Sequence, residues 1–278
     1  MNIYAFADET HPQLKLQIAA MLRNNLQGLE IRTVDGMNIS DMSVPQVVEI
    51  EKKLADAGLC VWSLGSPMGK TDISEDDFGR ETDRLKHTVE LAKAMKSENI
   101  RMFSFYLPKK ADRKTYQNQV IDRLSLWIEI ANAAGVRLCL ENEKGLFGED
   151  PDSCTAIYEA IPAICGVFDP ANFVQIGIDP LAAWNQLQDR TYYLHIKDAL
   201  YDGDVVPPGY GEGHIAQITR AFLAKGGNNV TMEPHLHDFG AYKSLEKEGY
   251  AVELGKRFAF QNSDEAFDEA IRAFRALL

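Results

Sequence analysis

Apolar runs of strand length recur along this chain between stretches of helical period, and four of the later runs each end on a metal-binding residue type. The four are Glu141 in VRLCLENE, Asp169 in CGVFDPAN, His195 in TYYLHIKD and Glu233 in NNVTMEPH. Alternation of this kind predicts repeated βα units. About eight units are readable at the roughly thirty-residue spacing of the motif. The expected strands are residues 3–7, 28–34, 59–66, 101–107, 137–142, 166–169, 192–197 and 230–234. In a closed β/α barrel the carboxyl ends of all strands share one face, where active sites are assembled from different strands. The fold expected is therefore a single (β/α)8 barrel, one domain over residues 1–278, with those four side chains as neighbours.

A chain of 278 residues with 45% hydrophobic content can bury the core of such a barrel. Its net charge of −12 argues against a nucleic-acid backbone or an anionic membrane surface as partner. The four cysteines are widely spaced, which does not suggest a disulfide framework. The start, MNIYAFADET, lacks the pattern of a secretory signal, and no apolar run approaches the roughly 20 residues of a membrane span. A cytoplasmic protein with no membrane or nucleic-acid partner is expected.

Helices are anticipated over 43–56, with a Ser43/Gln46 capping pair, over 74–96, opening on Ser74/Asp77, and over 116–134. Gly58 and Gly135 stand where left-handed caps end a helix before a strand. Two irregular stretches, 200–214 and 237–261, follow late strands on the face expected to carry the site. The first contains VVPPGYGEGH. It lacks the context of a nucleotide-binding motif, and its backbone amides are free to cradle a small anion.

Three carboxylates and one imidazole form a divalent-metal ligand set. Three oxygens and one nitrogen suit one ion of Mn, Mg, Co, Fe or Zn, and for sugar chemistry Mn or Mg is favoured, with Zn next. A metal with open positions polarises a sugar carbonyl, acidifies the adjacent C–H and stabilises the enediolate left when a base takes the proton. A carboxylate serves as that base, and Glu141 and Glu233 are the candidates. Strand alternation turns Lys197 to the same side as His195, as a substrate-binding ammonium, and sends Asp198 outward or to cap the loop. His235 shares the parity of Glu233 and is a candidate substrate contact, with a hydrogen-bonded strand-end histidine the equal alternative. Glu30, Arg32 and Glu9 also stand at strand ends, where ion pairs of the barrel mouth serve equally well.

The motifs LENEKG (140–145), FDPANF (168–173), LHIKDA (194–199), PPGYGEG and MEPHL (232–236), in this order on successive strands, resemble the xylose isomerase-like superfamily of sugar isomerases and epimerases. The resemblance spans nearly the whole chain and implies a TIM barrel. It implies that Glu141, Asp169, His195 and Glu233 hold one divalent metal, and that Glu141 and Glu233 lie on opposite faces of a bound sugar. One then removes and the other returns a proton in epimerisation, whereas transfer on a single face interconverts aldose and ketose. The implied partner is a small carbohydrate, and the implied assembly a homodimer. Where that family often reads Glu-Asn-His this chain has Glu141, Asn142 and Glu143, and Asn172 stands where His is frequent. The substrate-facing roles then fall on Glu143, as a substitute acid or base, and on Asn172, as a neutral hydrogen-bonding group. Rival readings are an inosose-type dehydratase or keto-sugar lyase at the same metal site, and a sugar-binding barrel without turnover. Endonuclease IV-like repair is the weakest, since that site uses several metals and many histidines and this chain has six.

Overall fold

The expected alternation is realised as eight parallel strands closed into a barrel. The protein is described by a computed structural model covering residues 1–75, 77–109, 111–239 and 254–278. The strands are β1 (Asn2–Ala5), β2 (Gly28–Ile31), β3 (Cys60–Gly65), β4 (Asn99–Met102), β5 (Arg137–Glu141), β6 (Cys165–Phe168), β7 (Thr191–Ile196) and β8 (Asn229–Met232). Each pairs with its neighbours in sequence, and β8 closes on β1 with Ile3 opposite Val230. Every strand thus presents its carboxyl end to the same rim.

Around the barrel run α1 (Leu14–Arg23), α2 (Val44–Asp56), α3 (Phe78–Ala94), α4 (Arg113–Ala133), α5 (Pro151–Ala160), α6 (Pro170–Val174), α7 (Pro180–Leu187), α8 (Ile215–Ala224) and α9 (Ser263–Ala276). Apolar residues at helical spacing face the strands, as in Leu85, Val89 and Ala92 of α3 and Val120, Leu124, Trp127 and Ala131 of α4. Trp127 is fully buried, and its indole N–H donates to Thr82 at 3.0 Å, which ties α4 to α3. The capping pair of α2 is present: Ser43 N–H donates to Gln46 Oε1 at 2.8 Å. Gly58 and Gly135 both take φ +75° after their helices, as a left-handed cap requires.

Several expected boundaries move. β4 spans Asn99–Met102 rather than 101–107, because the chain beyond it leaves the barrel ladder. Phe103 and Phe105 donate to the carbonyls of Met68 and Gly69 instead, each at 2.8 Å. Gly69 takes φ +84°, and a Cβ there would lie 2.2 Å from the Phe103 carbonyl oxygen, so only glycine allows the approach. β2 ends at Ile31, and Thr33–Val34 turns back on Met37–Asn38 as a short hairpin. α3 opens at Phe78 rather than at 74, because Ser74 bonds backward to Asp72 through both its N–H and its hydroxyl. Of the stretch 237–261, residues 240–253 lie outside the described residues.

The lower half of the barrel is filled by rings. Tyr4 stacks on Trp62 at 4.9 Å between centroids and Trp62 on Tyr192 at 5.8 Å. No described helix is long and apolar enough to cross a membrane.

Candidate metal centre and barrel-mouth site

Glu141 is the last residue of β5 and turns into the barrel with Cys139, two positions earlier. Asp169 follows β6 directly and caps α6, whose first residue is Pro170; its Oδ1 accepts from Asn172 N–H at 3.1 Å. Asn142 fixes the Asp169 backbone from both sides, accepting its N–H at 2.8 Å and donating to its carbonyl at 2.9 Å. His195 lies within β7, and Glu233 one residue past β8, where its N–H extends the ladder to Ile196 at 3.1 Å. All four side chains are buried, and one ligand atom from each lies within 4.8 Å of the others.

Opposite charges interleave around this cluster. His195 Nδ1 is 3.1 Å from Glu141 and 3.2 Å from Glu233, while Nε2 is 3.0 Å from Glu30. Burial opposes a charged imidazole, but Glu141 and Glu30 outweigh it and raise the His195 pKa well above its ordinary value. Lys197 Nζ lies 2.7 Å from Asp169 and 3.6 Å from Glu233. Burial lifts the Asp169 pKa to about 7 despite Lys197, helped by Glu141 and Glu233. Glu233 is held well below the usual carboxylate range: burial pushes it up, and Lys197 and His195 more than reverse that.

Arg32 and Arg101 brace the two glutamates. The Arg32 guanidinium, buried, spans Asp8 at 2.9 Å, Glu9 at 3.3 Å and Glu233 at 3.1 Å. Arg101 Nε lies 3.2 Å from Glu141 and 3.8 Å from Glu30. Glu30, Arg32 and Glu9 are thus all in the mouth. Sequence reading missed Arg101, although an arginine two residues after Asn99 in NIRMF is the signal of a charged side chain inside a barrel strand. It also missed Lys70, which lies in a loop between elements and pairs with Glu143 at 3.0 Å.

The other expected site residues fall in the same mouth. His235 is buried, 3.4 Å from Glu9 and 3.5 Å from Glu233, with its ring stacked on Phe239. Burial, countered by Glu233 and aided by Lys197, keeps its pKa well below the ordinary value, so it is a neutral imidazole. Asn172 donates to the Asn142 carbonyl at 2.8 Å and lies 3.4 Å from Glu141. Loss of solvent pushes the Glu143 carboxyl up, and Lys70 and Lys197 outweigh it to hold it below its ordinary value.

The loop amides expected to be free for an anion are taken by the chain itself. Asp198 accepts from the N–H groups of Gly209 at 2.8 Å, Gly211 at 3.1 Å and Gly213 at 2.8 Å. The carboxylate of the HIKD motif organises PPGYGEG from within, as a cap on the loop.

The cluster fits a divalent ion. Its donors are three carboxylates and an imidazole converging on one point, the mixture used for Mg, Mn or Zn. Two of its buried oxygens, Asp169 Oδ2 and Glu233 Oε2, make no well-angled hydrogen bond although Lys197 lies near both.

Comparison with known proteins agrees with the fold. An L-ribulose 3-epimerase superposes with a TM-score of 0.75 at 20% identity, covering 99% of this chain and 93% of its own. The IOLI protein with a bound zinc atom gives 0.74 at 17%, covering 100% and 98%. A xylose isomerase-like barrel protein from Mycobacterium smegmatis in complex with magnesium gives 0.68 at 15%, covering 95% and 87%. No curated sequence matches. The sequence model of the xylose isomerase-like TIM barrel family matches residues 18–277. The chain therefore belongs to the xylose isomerase-like TIM barrel family.

Proposed function

We propose that this chain is a divalent-metal-dependent enzyme that isomerises or epimerises a small sugar or keto-sugar by moving a proton beside a carbonyl. The observation that carries the reading is the buried convergence of Glu141, Asp169, His195 and Glu233, with ligand atoms within 4.8 Å of one another. An ion held there would supply Lewis acidity to a carbonyl and its neighbouring hydroxyl; Mn or Mg is favoured, and the zinc and magnesium of two structural neighbours lie within the same chemistry.

The chain's own groups do the rest. Glu141 and Glu233 enter from β5 and β8, separated by the two strands that carry Asp169 and His195, and are the groups to remove and return the proton. Arg101 and Arg32 fix the rotation of each carboxylate. Lys197 brings an ammonium beside the oxygen that gains charge in the enediolate, and Asn172 holds Glu141 from the far side. His235, neutral, offers a ring nitrogen to a substrate hydroxyl.

Solvent-deuterium incorporation tests the reading. Metal-loaded protein is incubated in D2O with a panel of ketoses and keto-polyols and followed by NMR. Deuterium entering the carbon beside a carbonyl, with an isomer accumulating, is expected. A product lighter by one water would instead mark a dehydratase at the same site. A panel left unexchanged by metal-loaded protein would contradict catalysis by enolisation.

A further inference from the structure

Within the mouth, one ion pair differs from the others. The side chains around the ligand cluster are nearly sealed: Arg32, Arg101, Lys197 and Glu233 expose between 1% and 6% of their surface. Lys70 and Glu143 expose 18% and 17%, so this pair lies nearer the solvent than they do. Both are rigidly carried. The loop holding Lys70 is zipped to the chain after β4 by the bonds from Phe103 and Phe105 to Met68 and Gly69, and by Tyr106 to Thr71 and Ile73 to Tyr106, both 2.9 Å. Glu143 follows Asn142, which is locked to Asp169. The Lys70 ammonium also sits over the Phe103 ring at 4.4 Å, and the Arg101 guanidinium, which holds Glu141, over the same ring at 4.5 Å. The rim pair is thereby in mechanical contact with the catalytic carboxylate through one aromatic ring.

Resting on the enolisation reading above, we infer that the Lys70–Glu143 pair is the specificity determinant for the end of the substrate remote from the metal, and that it selects an uncharged polyhydroxy sugar over its phosphorylated form. An ammonium next to a carboxylate offers donors and an acceptor side by side, which a hydroxyl, itself donor and acceptor, satisfies without displacing the pair. A phosphate has acceptors alone at neutral pH and would set its charge against Glu143, while the cation it needs is already neutralised. The deeper cations are engaged likewise, Arg32 by three carboxylates, Arg101 by Glu141 and Lys197 by Asp169.

The test uses metal-loaded full-length protein and three matched probe pairs: D-fructose, D-tagatose and L-ribulose, each beside its terminal phosphate ester. Deuterium exchange is measured for wild type, K70M and E143Q, with thermal stability and metal affinity recorded for each variant. Wild type is expected to favour the free sugar of any pair it exchanges. K70M is expected to raise KM by about tenfold or more while kcat falls by less than about threefold, the pattern of lost uniform binding. E143Q is expected to shift the preference toward the ester by about tenfold, since it leaves an uncompensated ammonium. Exchange in which the ester is favoured by wild type, or in which neither variant changes KM or preference, overturns this assignment and leaves enolisation standing. No exchange with any probe by wild type overturns the enolisation reading and the assignment with it.

Discussion

Glu30 has no place in the ligand cluster, yet it decides which nitrogen His195 presents. With Glu30 Oε2 3.0 Å from Nε2, that nitrogen keeps its proton and Nδ1 faces Glu141 and Glu233. Tyr193 in turn fixes Glu30 through a 2.9 Å bond to Oε1. A carboxylate behind a ligating histidine orients the ring and raises its basicity, and losing it typically weakens metal binding about 10- to 100-fold. Glu30→Leu is therefore expected to lower the affinity for manganese within that range while the protein stays folded, as read by calorimetric titration beside a thermal melt. Unchanged affinity would show that the contact is packing alone. The removal of Arg32 is a different matter, because three buried carboxylates would lose their common cation. Breaking a buried pair in this way costs about 3–5 kcal/mol, so Arg32→Met should lower the unfolding midpoint in urea steeply or prevent folding.

Among the elements, the loop at 200–214 depends most on single positions. A Cβ on Gly211 would lie 2.4 Å from Asp198 Oδ1 and 2.5 Å from the Ala199 carbonyl oxygen. The second contact is backbone and cannot yield cheaply. Gly211→Ala is expected to destabilise the protein by about 1–3 kcal/mol and to open the loop to proteolysis, whereas Gly177→Ala, where φ is +77° and nothing is within 4 Å, tests backbone strain alone. Equal stability of Gly211→Ala and wild type would contradict the role given to Asp198. This loop also shows what a sequence makes legible. The glycines of PPGYGEG marked a tight turn and strand alternation offered Asp198 as a cap for the loop, but nothing local said that three loop amides would close on that one carboxylate and leave none of the three for an anion. The convergence of Glu141, Asp169, His195 and Glu233 was readable because each ends an apolar run and barrel topology brings the strand ends together. Lys70 was not, because its place follows from hydrogen bonds between its loop and the chain after β4. Those same bonds ended that strand early, and period alone cannot foresee them.

For the whole molecule, above the ordinary carboxylate range the site makes stability and metal binding depend on pH in opposite senses. Asp169 keeps its proton to about pH 7 when folded, against an ordinary value of 3.8, and Glu9 to about pH 8, against 4.5; burial is the leading cause in both. Between the ordinary and the folded values the native chain holds a proton that the unfolded chain has lost. The stability from these groups is present at low pH and declines as pH rises through the folded values. His195, raised well above 6.5, acts in the same direction. His235, held neutral, opposes them only below its ordinary value of 6.5, where the unfolded imidazole takes up a proton. A metal must displace protons from Asp169 and His195, so its affinity should rise with pH across the range in which these groups of the metal-free site lose stability. Calorimetric titration of manganese into wild type and Asp169→Asn, at about pH 6 and about pH 8, is the most direct test of the metal centre. One ion per chain, bound about tenfold or more tightly at the higher pH and lost or greatly weakened in Asp169→Asn, is the predicted result. No binding to wild type at either pH, with manganese and then with magnesium and zinc, would contradict the metal centre and the chemistry built on it.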